Sequence, residues 1–146
     1  MRKIYGFSVI ELLLTLVIIA ILASLALPTY QAAVQSARRR EAITALLDIA
    51  NRMERYFSLH HTYASATINT GKASDIITAG AGPAGIYHTP QGYYDIQLSA
   101  QSATHYVLRA HPQGAQQQDT ECGRYTIDER GQRGVSGPAS VSTCWR

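Results

Sequence analysis

Residues 1–30 read MRKIYGFSVIELLLTLVIIAILASLALPTY, and this stretch decides how the rest of the chain is interpreted. From Phe7 to Leu27 it is apolar apart from Ser8, Glu11, Thr15 and Ser24. As a helix this run would span ~31 Å, which matches the hydrocarbon core of a bilayer. The basic residues at positions 2 and 3 precede it, so the positive-inside rule places the N-terminus in the cytoplasm and the following chain across the membrane.

The carboxylate of Glu11 is out of place in such a run. A charge at the bilayer centre costs at least ~2.5–3.5 kcal/mol, so we expect Glu11 to have an interaction partner or a functional role that offsets this cost. Because Glu11 lies near one end of the run, its carboxylate could also reach the lipid headgroup region, and this interpretation remains open. A secretory signal cleaved near residues 23–26 also remains open, as does a plain single-pass anchor, although an anchor alone explains the length and not Glu11.

The leader MRKIYG, the Gly6–Phe7 junction, Glu11 and the continuous apolar helix together resemble the class III signal of type IV pilins and related pseudopilins. The resemblance implies cleavage between Gly6 and Phe7 by a prepilin peptidase, N-methylation of the new Phe7 amine, and retention of the helix. Phe7 and Glu11 are four residues apart and share a helix face. In a filament, the amine of one subunit could instead meet Glu11 of its neighbour. We expect this charge-assisted pairing to set the register of the subunits.

The length of the chain leaves room for one globular domain after the apolar segment, and the charges of that domain nearly balance. Two of the 13 basic residues lie in the leader, which leaves 11 basic residues against 10 acidic ones. That balance gives only weak support for nucleic acid as a partner from net charge. We expect a cleaved leader at 1–6, an apolar membrane or filament-core half of the helix at 7–27, and an exported globular domain at 28–146.

The helix is expected to continue beyond the apolar run, with a kink at Pro28, where one helical hydrogen bond is lost. A stripe of apolar residues at helical spacing predicts that it reaches about His60; the stripe comprises Ile43, Leu46, Leu47, Ala50, Met53 and Phe57. Between the two halves, the run Arg38–Glu41 either contacts neighbouring subunits or lipid headgroups, or forms a solvated face.

The second half of the chain predicts a sheet. Residues 62–92 are rich in glycine and proline and are expected to form an exposed connector. Stretches 93–98, 105–111 and 124–128 have strand composition. We therefore predict an α+β fold, in which a long N-terminal helix packs on an antiparallel sheet of three or four strands.

The two cysteines, Cys122 and Cys144, favour a disulfide, because their number is even and the chain carries an export-like segment. Such a bond would close a C-terminal loop and contribute ~3 kcal/mol in the chain-entropy model. A zinc site is not expected, because the spacing is wrong. The segments LLDIANRMERYFSLHHTYA, DTECGRYTIDERGQ and STCWR resemble type IVa minor pilins of the PilE-like kind.

No enzymatic signature is present. The five histidines lack metal-ligand spacing, and no serine lies in a nucleophile elbow, so we expect no catalytic, metal or cofactor site. A membrane-anchored hydrolase is retained as an alternative. A type II secretion pseudopilin is another, although Asp128 and Glu129 are too few oxygens for the calcium site often found in that group.

The resemblance implies a structural subunit of a type IV pilus, a minor pilin acting in pilus assembly, with roles in twitching motility, adhesion and DNA uptake. Its implied partners are other pilin subunits, the prepilin peptidase and methyltransferase, and the inner-membrane assembly machinery. It would lie in the inner membrane before assembly and in a cell-surface pilus afterwards. A DNA-binding competence pilin is a further alternative. That alternative rests on a few arginines expected to be exposed, for which solvated charge is the favoured explanation: Arg109, Arg124, Arg130 and Arg133.

Overall fold

The computed structural model describes residues 8–68, 77–79 and 85–146. Its longest element is helix α1, Val9–His60, which confirms the predicted long helix. The helical assignment continues through Pro28, and the kink expected there remains a prediction. The chain divides into two units within α1, one ending at Val34 and the other beginning at Gln35.

In the first unit, α1 presents an apolar surface. Its large hydrophobic side chains between Val9 and Leu25 are 48–77% exposed, so the described chain leaves about half or more of each uncovered. The hydroxyl of Thr15 donates to the Leu12 carbonyl at 2.8 Å, which satisfies it within the helix. By length and composition, this helix is able to cross a membrane.

In the second unit, one face of α1 is buried in the core. Its fully or nearly fully buried residues recur every three or four positions, as a helix facing a sheet requires: Ala42, Leu46, Ile49, Met53 and Tyr56. Leu46 and Met53 belong to the predicted stripe. The other members of that stripe pack at the margin of the core and are partly buried: Ile43, Leu47, Ala50 and Phe57.

The core is closed by an antiparallel sheet of five strands in the order β3-β4-β5-β6-β7. The strands are β3 (Ile86–His88), β4 (Tyr94–Gln101), β5 (Tyr106–Pro112), β6 (Tyr125–Asp128) and β7 (Arg133–Val135). The three predicted strands correspond to β4, β5 and β6. The sheet is wider than predicted because β3 and β7 add one edge strand each. Alternate residues face the core, namely Tyr94, Ile96, Leu98, Tyr106, Leu108, Ala110, Tyr125 and Ile127.

The segment predicted as an exposed connector contains more structure than expected. Strand β1 (Ala66–Ile68) pairs antiparallel with β2 (Ile77–Ala79) in a separate two-stranded sheet. Ala66, Ile68 and Thr89 are buried, so the expectation of a wholly exposed connector is wrong. Residues 69–76 and 80–84 of this segment lie outside the described residues.

The C-terminal part folds back on the sheet. A 3-10 helix, Gly114–Gln118, follows β5, and helix α2, Val141–Cys144, follows β7. Trp145 packs edge-on against Tyr125 with ring centroids 5.7 Å apart. Gly137 passes so close to the backbone at Glu121 that any Cβ there would overlap its carbonyl, which explains why glycine occupies this position.

Candidate functional site

Glu11 lies in the first turn of α1 and is exposed. A carboxylate at this end of a helix is favoured by the helix dipole. Gly6 and Phe7, the predicted cleavage and methylation positions, lie outside the described residues. The pairing of Glu11 with the Phe7 amine therefore remains a prediction.

The predicted disulfide between Cys122 and Cys144 is formed, with an S–S distance of 2.00 Å. Both half-cystines are buried. The bond joins the loop that precedes β6 to the end of α2, so it fixes the C-terminal segment against the sheet.

Arg39 makes an ion pair within the chain, and the expected contact of the Arg38–Glu41 run with neighbouring subunits or lipid headgroups remains a prediction. Its Nε and Nη2 donate to Oδ2 and Oδ1 of Asp119, each at 2.6 Å, and Nη2 also reaches Glu121 Oε2 at 3.4 Å. The Asp119 side chain is fully buried and that of Arg39 is 12% exposed. The hydrogen bond to Asp119 raises the pKa of Arg39 above its ordinary value. Two parallel hydrogen bonds of this kind fix geometry as well as charge.

Asp119 is also held by its own loop. Gln116 Nε2 donates to Asp119 Oδ2 at 3.0 Å and to the Tyr94 hydroxyl at 3.1 Å, and the Cys122 amide donates to Asp119 Oδ1 at 3.4 Å. Burial raises the pKa of Tyr94 to about 12, so its hydroxyl keeps its proton at neutral pH. The Arg39–Asp119 pair thus ties α1 to the loop that carries the disulfide.

Two residues near Arg39 in the sequence, Arg38 and Glu41, contact the segment that precedes β4. The Arg38 guanidinium lies 4.4 Å from the ring centroid of Tyr93, and Glu41 Oε1 accepts from the Gln91 amide at 2.8 Å. The interpretation of this run as a simply solvated face is therefore wrong for Arg38, Arg39 and Glu41. Their side chains serve intramolecular packing.

The outward face of the sheet collects ionisable side chains. Strand register places His88 opposite Asp95, and Asp95 opposite His111. Continuing the β5–β6 register by one position places His111 opposite Arg124, and Arg109 lies two residues before His111 on the same face. Two of the four arginines considered for DNA binding thus lie together.

The other two arginines lie elsewhere. Arg130 is exposed and approaches Glu129 at 3.4 Å, whereas the Arg133 guanidinium stacks 5.1 Å from the ring centroid of Trp145. They do not join the row formed across β3 to β6. The alternating pattern of inward and outward residues could have suggested the face of each arginine, but not the strand register that brings two of them together.

His111 has the most perturbed environment in this row. Burial lowers the pKa of His111 below its ordinary value of 6.5, the positive charges of Arg124 and Arg109 lower it further, and the carboxylate of Asp95 opposes them. At neutral pH the imidazole is therefore largely neutral. The neutral His111 side chain therefore lies beside two positively charged groups, Arg109 and Arg124, and adds no charge to them.

The carboxylates considered for a calcium loop are engaged within the chain. Asp128 Oδ1 accepts from the Gln132 amide at 2.7 Å, which shapes the turn between β6 and β7. Glu129 Oε1 lies 2.7 Å from His105 Nδ1, and this hydrogen bond lowers the pKa of Glu129. Across the described parts of the chain, no cluster of three or more histidine, cysteine, aspartate or glutamate residues is arranged to hold a metal.

Two family models match the sequence. Residues 1–27 match the prokaryotic N-terminal methylation motif. Residues 28–126, well over half of the chain, match the family described as type IV minor pilin ComP, DNA uptake sequence receptor. The chain belongs to this ComP family of type IV minor pilins.

A solved structure has the same fold. The crystal structure of the Neisseria meningitidis non-core minor pilin PilV is 24% identical and has a TM-score of 0.50, covering 75% of this chain and 94% of that chain. This likeness supports the pilin fold, in which a long helix packs on an antiparallel sheet. A comparison with curated proteins gives no match.

Membership in the ComP family confirms the interpretation as a minor type IV pilin, a structural subunit of the pilus, and does not favour the pseudopilin alternative. The methylation motif implies peptidase processing and assembly with other pilins. Together with the apolar helix, it indicates membrane anchoring before assembly.

Proposed function

We propose that this ComP-family pilin enters the pilus through the first half of α1 after cleavage between Gly6 and Phe7. In this proposal residues 1–6 are removed, Phe7 is N-methylated, 7–27 lie first in the inner membrane and then in the filament core, and 28–146 form the exported domain. The partners are the prepilin peptidase and methyltransferase, the inner-membrane assembly machinery and other pilins. The protein serves as a structural subunit and not as an enzyme.

The observation that carries this proposal is an uncovered apolar helix surface with a single carboxylate near its start. A surface of this extent requires either lipid or other helices around it. Moving it from lipid to a helical core exchanges one apolar environment for another, so burial alone gives little preference for one register. An unpaired carboxylate in that core is strongly unfavourable. Pairing of Glu11 with the Phe7 amine of a neighbouring subunit therefore fixes the position of each subunit relative to its neighbours in the filament.

The experiment compares two substitutions in the same apolar segment. Glu11→Ala should leave leader removal intact but lower the amount of this subunit in sheared pili by about tenfold or more, because the pairing of a buried charge is lost. Thr15→Ala is the matched control, since the Thr15 hydroxyl is satisfied inside the helix. Equal incorporation of the two variants would overturn the register role of Glu11.

A second function, binding of DNA by the exported domain, is favoured by two independent features. The family description names a DNA uptake sequence receptor. In addition, Arg109 and Arg124 lie on one face of the sheet, flanking His111. Arginine contacts to phosphates supply the sequence-independent part of DNA affinity. We therefore propose that this outward face contacts the DNA backbone.

Fluorescence anisotropy with a labelled duplex tests this function on the mature chain in neutral detergent. Replacing Arg109 and Arg124 together by alanine should lower the affinity and reduce the slope of log K against log salt by about 1.8, that is ~0.9 for each phosphate that the protein no longer neutralises. Arg55→Ala, an exposed arginine on α1, is the control and should retain the slope. An unchanged slope in the double variant would exclude this face.

A further inference from the structure

The row His88–Asp95–His111–Arg124 crosses four strands and carries alternating kinds of ionisable group. His88 Nδ1 lies 2.6 Å from Asp95 Oδ1, so Asp95 has one partner on its own side of the row. On the other side, Arg124 and Arg109 surround His111. The carboxylate of the row therefore lies on β4, whereas the guanidinium groups beside His111 lie on β5 and just before β6.

We propose that Arg109, His111 and Arg124 form a cluster that binds neighbouring phosphates of the DNA backbone, and that the binding of these phosphates is linked to protonation of His111. This inference rests on the proposed DNA binding and adds its regulation. Without a ligand, the two guanidinium groups make protonation of the imidazole unfavourable. Backbone phosphates placed beside these side chains offset that repulsion, and one of them accepts a hydrogen bond from the imidazolium.

Three charged groups act directly on His111 in the described structure. Asp95 faces it from β4, Arg109 from its own strand and Arg124 from the residue just before β6. His88 on β3 reaches the site only through Asp95. Asp95 alone favours the protonated imidazole, and burial and both arginines oppose it. The added anion is the group that changes this balance.

Linkage fixes the sign of the effect. A ligand that raises the pKa of His111 must bind more tightly to the protonated protein. DNA affinity should therefore rise as pH falls from about 8 to about 5.5, a range in which histidine is the side chain that normally changes charge. If DNA raises the pKa of His111 by about one unit, the affinity rises by up to about tenfold across this window. The salt slope should also steepen by about 0.9, for one further phosphate contact.

The test measures duplex binding by anisotropy at both ends of this range, with the mature full chain in neutral detergent. His111→Gln should bind with an affinity that is nearly independent of pH. His111→Lys keeps a cation at all these pH values and should bind at about pH 8 as tightly as the unmodified protein does at about pH 5.5. His60→Gln, an exposed histidine at the end of α1, is the control and should retain the pH dependence.

Nuclear magnetic resonance of the His111 ring adds a direct readout. Its titration midpoint should lie below 6.5 in the free protein and rise when duplex DNA is added. Binding that is independent of pH in the unmodified protein, or a pH dependence that survives in both His111 variants, overturns the proton linkage and leaves the proposed DNA binding intact. Absence of DNA binding at every pH overturns both.

Discussion

At the scale of single residues, the Arg39–Asp119 pair holds helix and loop together. Its two hydrogen bonds of 2.6 Å are largely removed from water, and Gln116 satisfies a further position on the carboxylate. A buried ion pair is a weak source of net stability compared with apolar packing, but removing one partner leaves an uncompensated charge. A single substitution in this pair should therefore have a large effect on the free energy of unfolding.

Asp119→Asn should lower the free energy of unfolding by ~3–5 kcal/mol, because the Arg39 guanidinium loses its counter-charge while its surroundings stay buried. Asp48→Asn removes the carboxylate of an exposed pair with Arg52 on α1 and should cost less than ~0.5 kcal/mol. Urea denaturation followed by tyrosine and tryptophan fluorescence measures both. A loss as small as that of Asp48→Asn at position 119 would contradict the structural role given to the pair.

No local pattern in the sequence could have revealed this pair. Arg39 and Asp119 are 80 positions apart, and both occur in polar stretches where solvated charge is the ordinary expectation. Arg39 looks like its neighbour Arg40, which is exposed. Only the packing of the loop after β5 against α1 distinguishes them.

At the scale of elements, the strongly periodic segments were predictable. The apolar run and the stripe on α1 predicted the helix, and the apolar and aromatic strands β4, β5 and β6 followed from their composition. Strands β1, β2, β3 and β7 were missed because each has three residues, too few to show an alternating pattern. Their pairing depends on neighbours that are already in place.

The disulfide could be predicted from the sequence, whereas the row His88–Asp95–His111–Arg124 on the outward face of the sheet could not. With two cysteines in a chain that carries an export-like segment, a single pairing was available, so Cys122–Cys144 was predictable. The row from His88 to Arg124 depends on three strand registers at once. A shift of one residue in any register would move a side chain to the other face of the sheet.

At the scale of the whole molecule, two surfaces carry the two proposed functions. The exposed apolar part of α1 serves assembly, and the outward face of the sheet serves DNA contact. Because the methylation motif and the ComP domain match separate stretches of the chain, substitutions at Glu11 and at His111 should affect incorporation and DNA binding independently.

The central claim is that removal of the leader frees the Phe7 amine that pairs with Glu11 in the filament. Intact-mass and peptide mass spectrometry of the subunit recovered from sheared pili tests it most directly. We predict a chain that begins at N-methylated Phe7. Recovery from pili of a subunit that still carries the leader at residues 1–6 would contradict the claim.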